Sequence, residues 1–271
     1  ARAAMDEYFT ATPLPQIRCL PAAVPQLRAA WLVDENLSSE RRMLFLHGGG
    51  YVAGGIRAYR NFAMWIARAM HCAVLLIDYR LAPEHPFPAA LEDAVMAFQW
   101  MREHGPLGRA PAQRTFLLGD SAGGGLALAA LLALRERHED LGDATVTFSA
   151  WTDLTNSGAS MMANEDLSLG AVKAVPDLFA GLYLQQIDPR NPLASPLFGA
   201  LDGLPPLLMQ ASTTELFLDD TVRLAEKAQN AAVEVHLDLW SDLVHDWQGY
   251  APLLPEAIEA LRRAGEFIQA I

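Results

Sequence analysis

The 271-residue chain is 52% hydrophobic, enough to bury a large core without disulfide staples, and one large domain is expected rather than two. Its formal net charge of -12, with no cluster of Lys or Arg, excludes binding along a nucleic-acid backbone, which depends on neutralising cations. The two cysteines, Cys19 and Cys72, lie far apart without metal-ligand spacing; each reads as a small buried hydrophobe, which points to a reducing, cytoplasmic compartment and to no metal.

No charged-then-apolar signal segment opens the chain, and it starts at Ala1 without a methionine, so upstream residues are expected. Ile17 to Leu20 and Leu27 to Val33 read as leading strands, an antiparallel edge. Met43 to Leu46 is a short buried strand that runs into His47-Gly48-Gly49-Gly50, where consecutive glycines let backbone N–H groups approach a ligand oxygen. The spacing Gly48-x-Gly50-x-x-Ala53 loosely fits a dinucleotide fingerprint. That fingerprint wants an acid about 20 positions on, and the run from Arg68 to Leu75 holds none, so no cofactor is expected. A helix over Asn61 to Met70, a strand over Ala73 to Ile77 and a helix over Pro88 to His104 follow, with Pro88 suited to a helix start.

Thr115 to Leu118 is the next buried strand, and it meets Gly119-Asp120-Ser121-Ala122-Gly123 before a helix over Ala122 to Leu134. A strand that reverses abruptly into a helix forces the serine into a strained conformation, and side chains two positions away would collide with the turn. Glycine at 119 and 123 removes those collisions. The hydroxyl is then presented as a nucleophile, and the Ala122 N–H lies at a helix start whose dipole favours a developing negative charge. The helix is too short for a bilayer, which needs about 20 residues.

Strands over Thr145 to Ala150, Pro206 to Ala211 and Val233 to Trp240 complete an alternation that means an α/β fold with a mostly parallel sheet. Residues 156–200 break the rhythm and read as an insertion over the carboxyl edge of the sheet; with residues 1–25 they would form a cap roofing a pocket. Trp151, Phe179, Phe217 and Tyr250 are candidates for the pocket wall. The last strand, Val233 to Trp240, is an edge available for pairing with a second copy as a homodimer.

A serine nucleophile needs a base, and seven histidines compete. His236 alternates with Glu234 and Asp238 on a polar strand face. His71, His85, His104 and His138 precede strands or sit at helix ends and in loops, far from the late position required. His245 lies just past the last strand, where a loop could bring an imidazole to Ser121. Among the carboxylates after Pro206 to Ala211, Asp219 and Asp220 fall in the first turn of a helix, where negative charge is favoured anyway. Glu215 stands earlier, without that explanation, and gives the order serine, acid, histidine. A base that must be neutral predicts activity lost as the pH drops through about 6 to 7.

Three stretches together resemble the hormone-sensitive-lipase-like branch of the α/β-hydrolase esterases: His47-Gly48-Gly49-Gly50-Tyr51-Val52-Ala53-Gly54, Asp78-Tyr79-Arg80-Leu81-Ala82-Pro83-Glu84-His85-Pro86-Phe87-Pro88, and Gly119-Asp120-Ser121-Ala122-Gly123-Gly124. Weaker echoes run through Trp151-Thr152-Asp153-Leu154, Asn191 to Pro196 and His245. The resemblance implies an α/β-hydrolase fold with an eight-stranded sheet and a helical cap. It also implies Gly49 and Gly50 as oxyanion donors beside Ala122, a structural His47, and a Tyr79 to Pro88 stretch that shapes the loop beneath the site. Where the family usually has aspartate as the acid, this chain has Glu215, one methylene longer. The implied activity is hydrolysis of short- to medium-chain acyl esters, small-molecule substrates, through a serine acyl-enzyme. Amide or lactone hydrolysis would use the same residues, and a non-catalytic ligand-binding protein would keep the pocket but lose the histidine.

Overall fold

The computed structural model describes residues 17–33, 38–165 and 172–271. Eight strands form its main sheet: β1 (Arg18–Ala22), β2 (Arg28–Val33), β3 (Ser38–Leu46), β4 (Cys72–Asp78), β5 (Arg114–Asp120), β6 (Ala144–Phe148), β7 (Leu207–Ser212) and β8 (Val235–Trp240). In space the order is β1-β2-β4-β3-β5-β6-β7-β8. β1 and β2 pair antiparallel, β2 joins β4 antiparallel, and every later pairing is parallel.

The central strands are near-continuous apolar runs because helices cover both faces. Period-two alternation then divides each strand between two cores. Met43, Phe45, Val74, Leu76, Phe116 and Leu118 face one core, which is closed by α1 (Ile56–Met70) and α7 (Pro255–Ala270). Leu44, Leu46, Leu75, Ile77 and Leu117 face the other, covered by α2 (Ala89–Glu103), α3 (Ala122–Glu136) and α6 (Leu218–Asn230). Between β6 and β7 the chain leaves the sheet for two short helices, α4 (Ser160–Ala163) and α5 (Ala174–Leu184).

Several expectations need correction. α1 starts at Ile56 and not at Asn61, since Gly54 and Gly55 take positive φ and the Ile56 N–H is capped by Asp78 Oδ1 at 2.6 Å. Within residues 1–25, Arg18–Ala22 is a strand of the sheet and no part of a roof; residues 1–16 lie outside the described residues. Cys19 is exposed, because β1 is an edge strand with a face open to water, whereas Cys72 is buried. Among the described residues no helix is long and apolar enough to cross a membrane.

Candidate active site

The carboxyl ends of β3, β5, β7 and β8 carry the candidate residues to one place. Ser121, between β5 and α3, has φ 51° and ψ -122°, a conformation that non-glycine residues rarely hold. The surroundings dictate it. Ser121 N–H donates to Phe148 O at 2.8 Å, and its carbonyl accepts from Gly124 N and Trp151 N at 3.0 and 2.9 Å. A methyl group at position 119 would lie 2.1 Å from Gly123 O, and one at 123 would lie 2.0 Å from Leu46 O. Both glycines are therefore demanded by backbone, which cannot step aside.

The loop after β3 approaches from the neighbouring strand end. Gly48 N–H donates to Asp120 Oδ1 at 2.9 Å, fastening the loop to the serine turn. His47 is buried and stacks on Tyr79 with centroids 4.1 Å apart; Tyr79 Oη donates to His47 O at 2.7 Å. Burial pushes the imidazole of His47 down to about 4, so it is neutral, and its Nδ1–H donates to Gly48 O at 2.7 Å. Gly49 and Gly50, with φ of 109° and 62°, line the cavity in front of Ser121. The ring of Phe179 lies over Gly50, where an added methyl would be 2.2 Å from Phe179 Cδ2.

Glu215 and His245 arrive on the loops after β7 and β8. His245 Nε2 is 2.9 Å from Ser121 Oγ, and His245 Nδ1 is 2.6 Å from Glu215 Oε2. Glu215 is fully buried, and its other oxygen accepts the Ser212 N–H at 3.0 Å, which holds the carboxylate inside the turn. Asp219 and Asp220 are directed elsewhere: Asp219 Oδ2 accepts Ser160 N–H at 3.1 Å, and Asp220 Oδ2 accepts the N–H groups of Thr152 and Asp153 at 2.7 and 2.8 Å. Helix-start electrostatics thus account for only part of Asp220; it is a buried brace for the turn after β6.

Sequence reasoning missed the residues that hold this geometry. Ser212 Oγ donates to Leu243 O at 2.6 Å and accepts Leu243 N–H at 3.1 Å, tying the histidine loop to the end of β7. Asn164 Nδ2 donates to Glu215 O at 2.9 Å, and Ser149 Oγ accepts Asp246 N–H at 3.2 Å. The polar run Ser212-Thr213-Thr214 directly after an apolar strand was the available signal. Burial alone would lower the His245 pKa, but the Asp246 carboxylate and then Glu215 outweigh it and hold it well above the usual histidine value. With His245 as the base, the acid limb of activity is then expected above the window of about 6 to 7 of an unperturbed imidazole.

The cavity at Ser121 has a volume of about 350 Å³, and its apolar wall includes Trp151, Val175, Pro176, Phe179, Leu216 and Phe217. Tyr250 is not part of it, because its ring packs against the core between the sheet and α7. His236 is exposed beside Glu234, while His71, His85, His104 and His138 lie outside the cavity. Among the described residues no group of His, Cys, Asp and Glu is arranged to hold a metal.

An open, mostly parallel sheet, a strained serine on a strand-to-helix turn and a buried acid–histidine pair agree with the comparisons to known proteins. Residues 43–249 match the alpha/beta hydrolase fold family. An acetyl-hydrolase of Streptomyces hygroscopicus is 42% identical over 229 residues, covering 84% of this chain and 75% of that protein. Esterase LipI of Mycobacterium tuberculosis is 36% identical, over 82% of this chain and 70% of its own. A crystal structure of an esterase from the bacterial hormone-sensitive lipase family superposes with a TM-score of 0.93 at 42% identity, covering 99% of this chain and 90% of that one. The chain belongs to the α/β-hydrolase fold family, in its hormone-sensitive-lipase-like esterase branch.

Proposed function

We propose that this chain is a serine carboxylic ester hydrolase whose nucleophile, base and acid are Ser121, His245 and Glu215. The observation that carries the reading is the unbroken hydrogen-bond line from Glu215 Oε2 to His245 Nδ1 at 2.6 Å and from Nε2 to Ser121 Oγ at 2.9 Å, opening on an apolar cavity. A carboxylate on Nδ1 fixes the tautomer in which Nε2 is the acceptor, so the lone pair faces the serine proton. Oγ attacks the ester carbonyl as His245 takes its proton. The oxyanion is received by the N–H groups of Gly49, Gly50 and Ala122, and the proton passes to the leaving alcohol. Water then repeats the sequence on the acyl-enzyme. The relatives' printed names, acetyl-hydrolase and esterase, support ester bonds over amides or lactones.

The cavity of about 350 Å³ stands near the lower end of ligand pockets, roughly 300 to 1,000 Å³, which supports short- to medium-chain acyl groups. Residues 172–184 form part of its roof and support the cap reading of the insertion. Two unpaired cysteines support a reducing, cytoplasmic compartment. The edge strand β8, with exposed Leu237 and Leu239, supports pairing of two copies, which sedimentation would detect.

The test is hydrolysis of p-nitrophenyl esters from acetate to long acyl chains, with Ser121→Ala alongside. Turnover should be greatest on short and medium chains and fall in the variant by about a millionfold, as for nucleophile removal in other serine hydrolases. Equal turnover in the variant would sink the nucleophile assignment, and a folded wild type inert on every ester would favour a binding role.

A further inference from the structure

Next to the serine–histidine pair lies a carboxylate that the reaction above does not use. Asp246 lines the cavity directly after His245, in a left-handed conformation with φ 54° that aspartate tolerates better than most residues. Its backbone is held on both sides, the N–H donating to Ser149 Oγ at 3.2 Å and the carbonyl accepting the Gly249 N–H at 3.0 Å. The turn brings Asp246 Oδ2 to 3.1 Å from His245 Nε2, while Ser121 Oγ holds the hydrogen-bonding position on the same nitrogen at 2.9 Å. Asp246 Oδ1 is buried and has no hydrogen-bond partner among the described residues.

The other walls of the cavity give this carboxylate nothing to pair with. Trp151, Val175, Pro176, Phe179, Leu216 and Phe217 are apolar, and among the described residues no Lys or Arg lines the cavity. The Tyr59 hydroxyl is hydrogen-bonded to Asp120. A wholly apolar substrate would cover the Asp246 side chain, only 7% exposed, without supplying a donor, and covering an unpaired charge is costly.

Proton transfer fixes which part of a substrate meets Asp246. When Ser121 Oγ bonds to the carbonyl carbon, its proton moves to Nε2. The bond from that carbon to the leaving oxygen then breaks, and the proton passes from Nε2 to the leaving oxygen, which must lie within hydrogen-bond reach of that nitrogen. Since Oδ2 is 3.1 Å from the same nitrogen, the leaving oxygen and the carboxylate are at most about 6 Å apart. A hydroxyl or ammonium on the carbon next to the one bearing the leaving oxygen spans that gap.

We propose that Asp246 selects the alcohol half of the ester: it accepts a hydrogen bond from a hydroxyl or ammonium beside the leaving oxygen, so that acyl esters of polyols and amino alcohols are preferred and esters of alcohols bearing a carboxylate or phosphate are turned away. The proposal rests on the serine–histidine reading above, because that reading places the leaving oxygen at Nε2. Asp246 exchanges no proton in the cycle; it contacts the substrate and sets which alcohol fits.

Three acetate esters of similar size separate the cases. 2-Hydroxyethyl acetate offers a donor, n-propyl acetate offers none, and acetoxyacetate carries a negative charge. Proton release in a pH-stat gives kcat/KM for each, divided by the hydroxide-catalysed rate of the same ester to remove differences in intrinsic reactivity. The wild type should favour 2-hydroxyethyl acetate over n-propyl acetate by about tenfold or more, and acetoxyacetate should be the poorest of the three. In Asp246→Asn the charge is gone, and acetoxyacetate should gain about tenfold on n-propyl acetate. Asp246→Gly removes the acceptor as well, in a residue suited to left-handed backbone, and should bring 2-hydroxyethyl and n-propyl acetate level.

Asp246 also acts on the charge of His245, so absolute rates change in both variants. Ratios between esters within one protein cancel that effect, and a merely structural Asp246 would scale all three esters alike. A wild-type ratio near one, or ratios unchanged in the variants, would overturn the proposal and leave the esterase reading in place. A folded wild type inert on all three esters and on p-nitrophenyl acetate would overturn both.

Discussion

The floor and the roof of the cavity are built by different rules. On the floor, backbone meets backbone: methyl groups at 119 and 123 would approach carbonyl oxygens at 2.1 and 2.0 Å, and the Gly48 N–H is already spent on Asp120. In the roof, α5 meets the cavity through the side chains of Val175, Pro176 and Phe179, while Leu178 on the same helix is 59% exposed. Carbonyl oxygens in a packed sheet cannot move, whereas a phenyl ring can change rotamer. In the proposed reaction the floor sets whether chemistry occurs, and the roof sets what fits.

The contrast can be tested by substitutions of decreasing effect. Glu215→Gln keeps the shape but loses the charge on Nδ1, and steady-state kinetics should show kcat down by about ten-thousand-fold, as for the equivalent change in a serine protease. Asp219→Asn should keep wild-type turnover, because an amide oxygen can still accept the Ser160 N–H; the opposite outcome would move the acid to Asp219. Gly123→Ala forces a methyl against Leu46 O and should lower stability by about 4 kcal/mol or more in a urea melt. A normal melting curve would mean that the turn is softer than its contacts indicate. Phe179→Ala should shift the p-nitrophenyl ester profile toward longer chains, changing the long-to-short ratio of kcat/KM by about tenfold with little loss of fold. At the exposed Leu178, replacement by Gln should leave both profile and stability within about 0.5 kcal/mol of wild type.

The same division explains what could be read from the residues alone. Gly119, Ser121 and Gly123 obey a local rule, since the collisions involve atoms a few bonds or one turn away, and a local rule is written in a few consecutive letters. Glu215 and His245 lie 30 residues apart, yet their order along an alternating sheet narrowed the choice, and the structure brings both to Ser121. Ser149 was invisible because its partner, the Asp246 N–H, comes from another loop, and an isolated serine carries no mark of a distant donor; Ser212 left only the trace of a polar run after β7. The start of α1 was missed for a similar reason, its cap being Asp78, 22 residues downstream. Cys19 was misplaced because an apolar-looking segment became an edge strand, whose exposure depends on what pairs beside it.

The C-terminal end of α5 is clamped. Tyr183 stacks on Tyr51 with centroids 3.9 Å apart and planes within 4°, Phe87 abuts the same ring edge-on, and the Phe87 N–H donates to Tyr183 O at 2.8 Å. Its first turn, carrying Val175, has no such aromatic anchor among the described contacts. That first turn is tied by polar groups instead: Asn156 Nδ2 donates to Asp177 Oδ1 at 2.7 Å, and the Lys173 N–H donates to Glu165 Oε1 at 3.0 Å. A roof helix pinned at both ends confines change to the side chains between its anchors: new residues at Val175, Pro176 and Phe179 would reshape the cavity while Tyr183 and Asp177 hold the helix in place over Ser121.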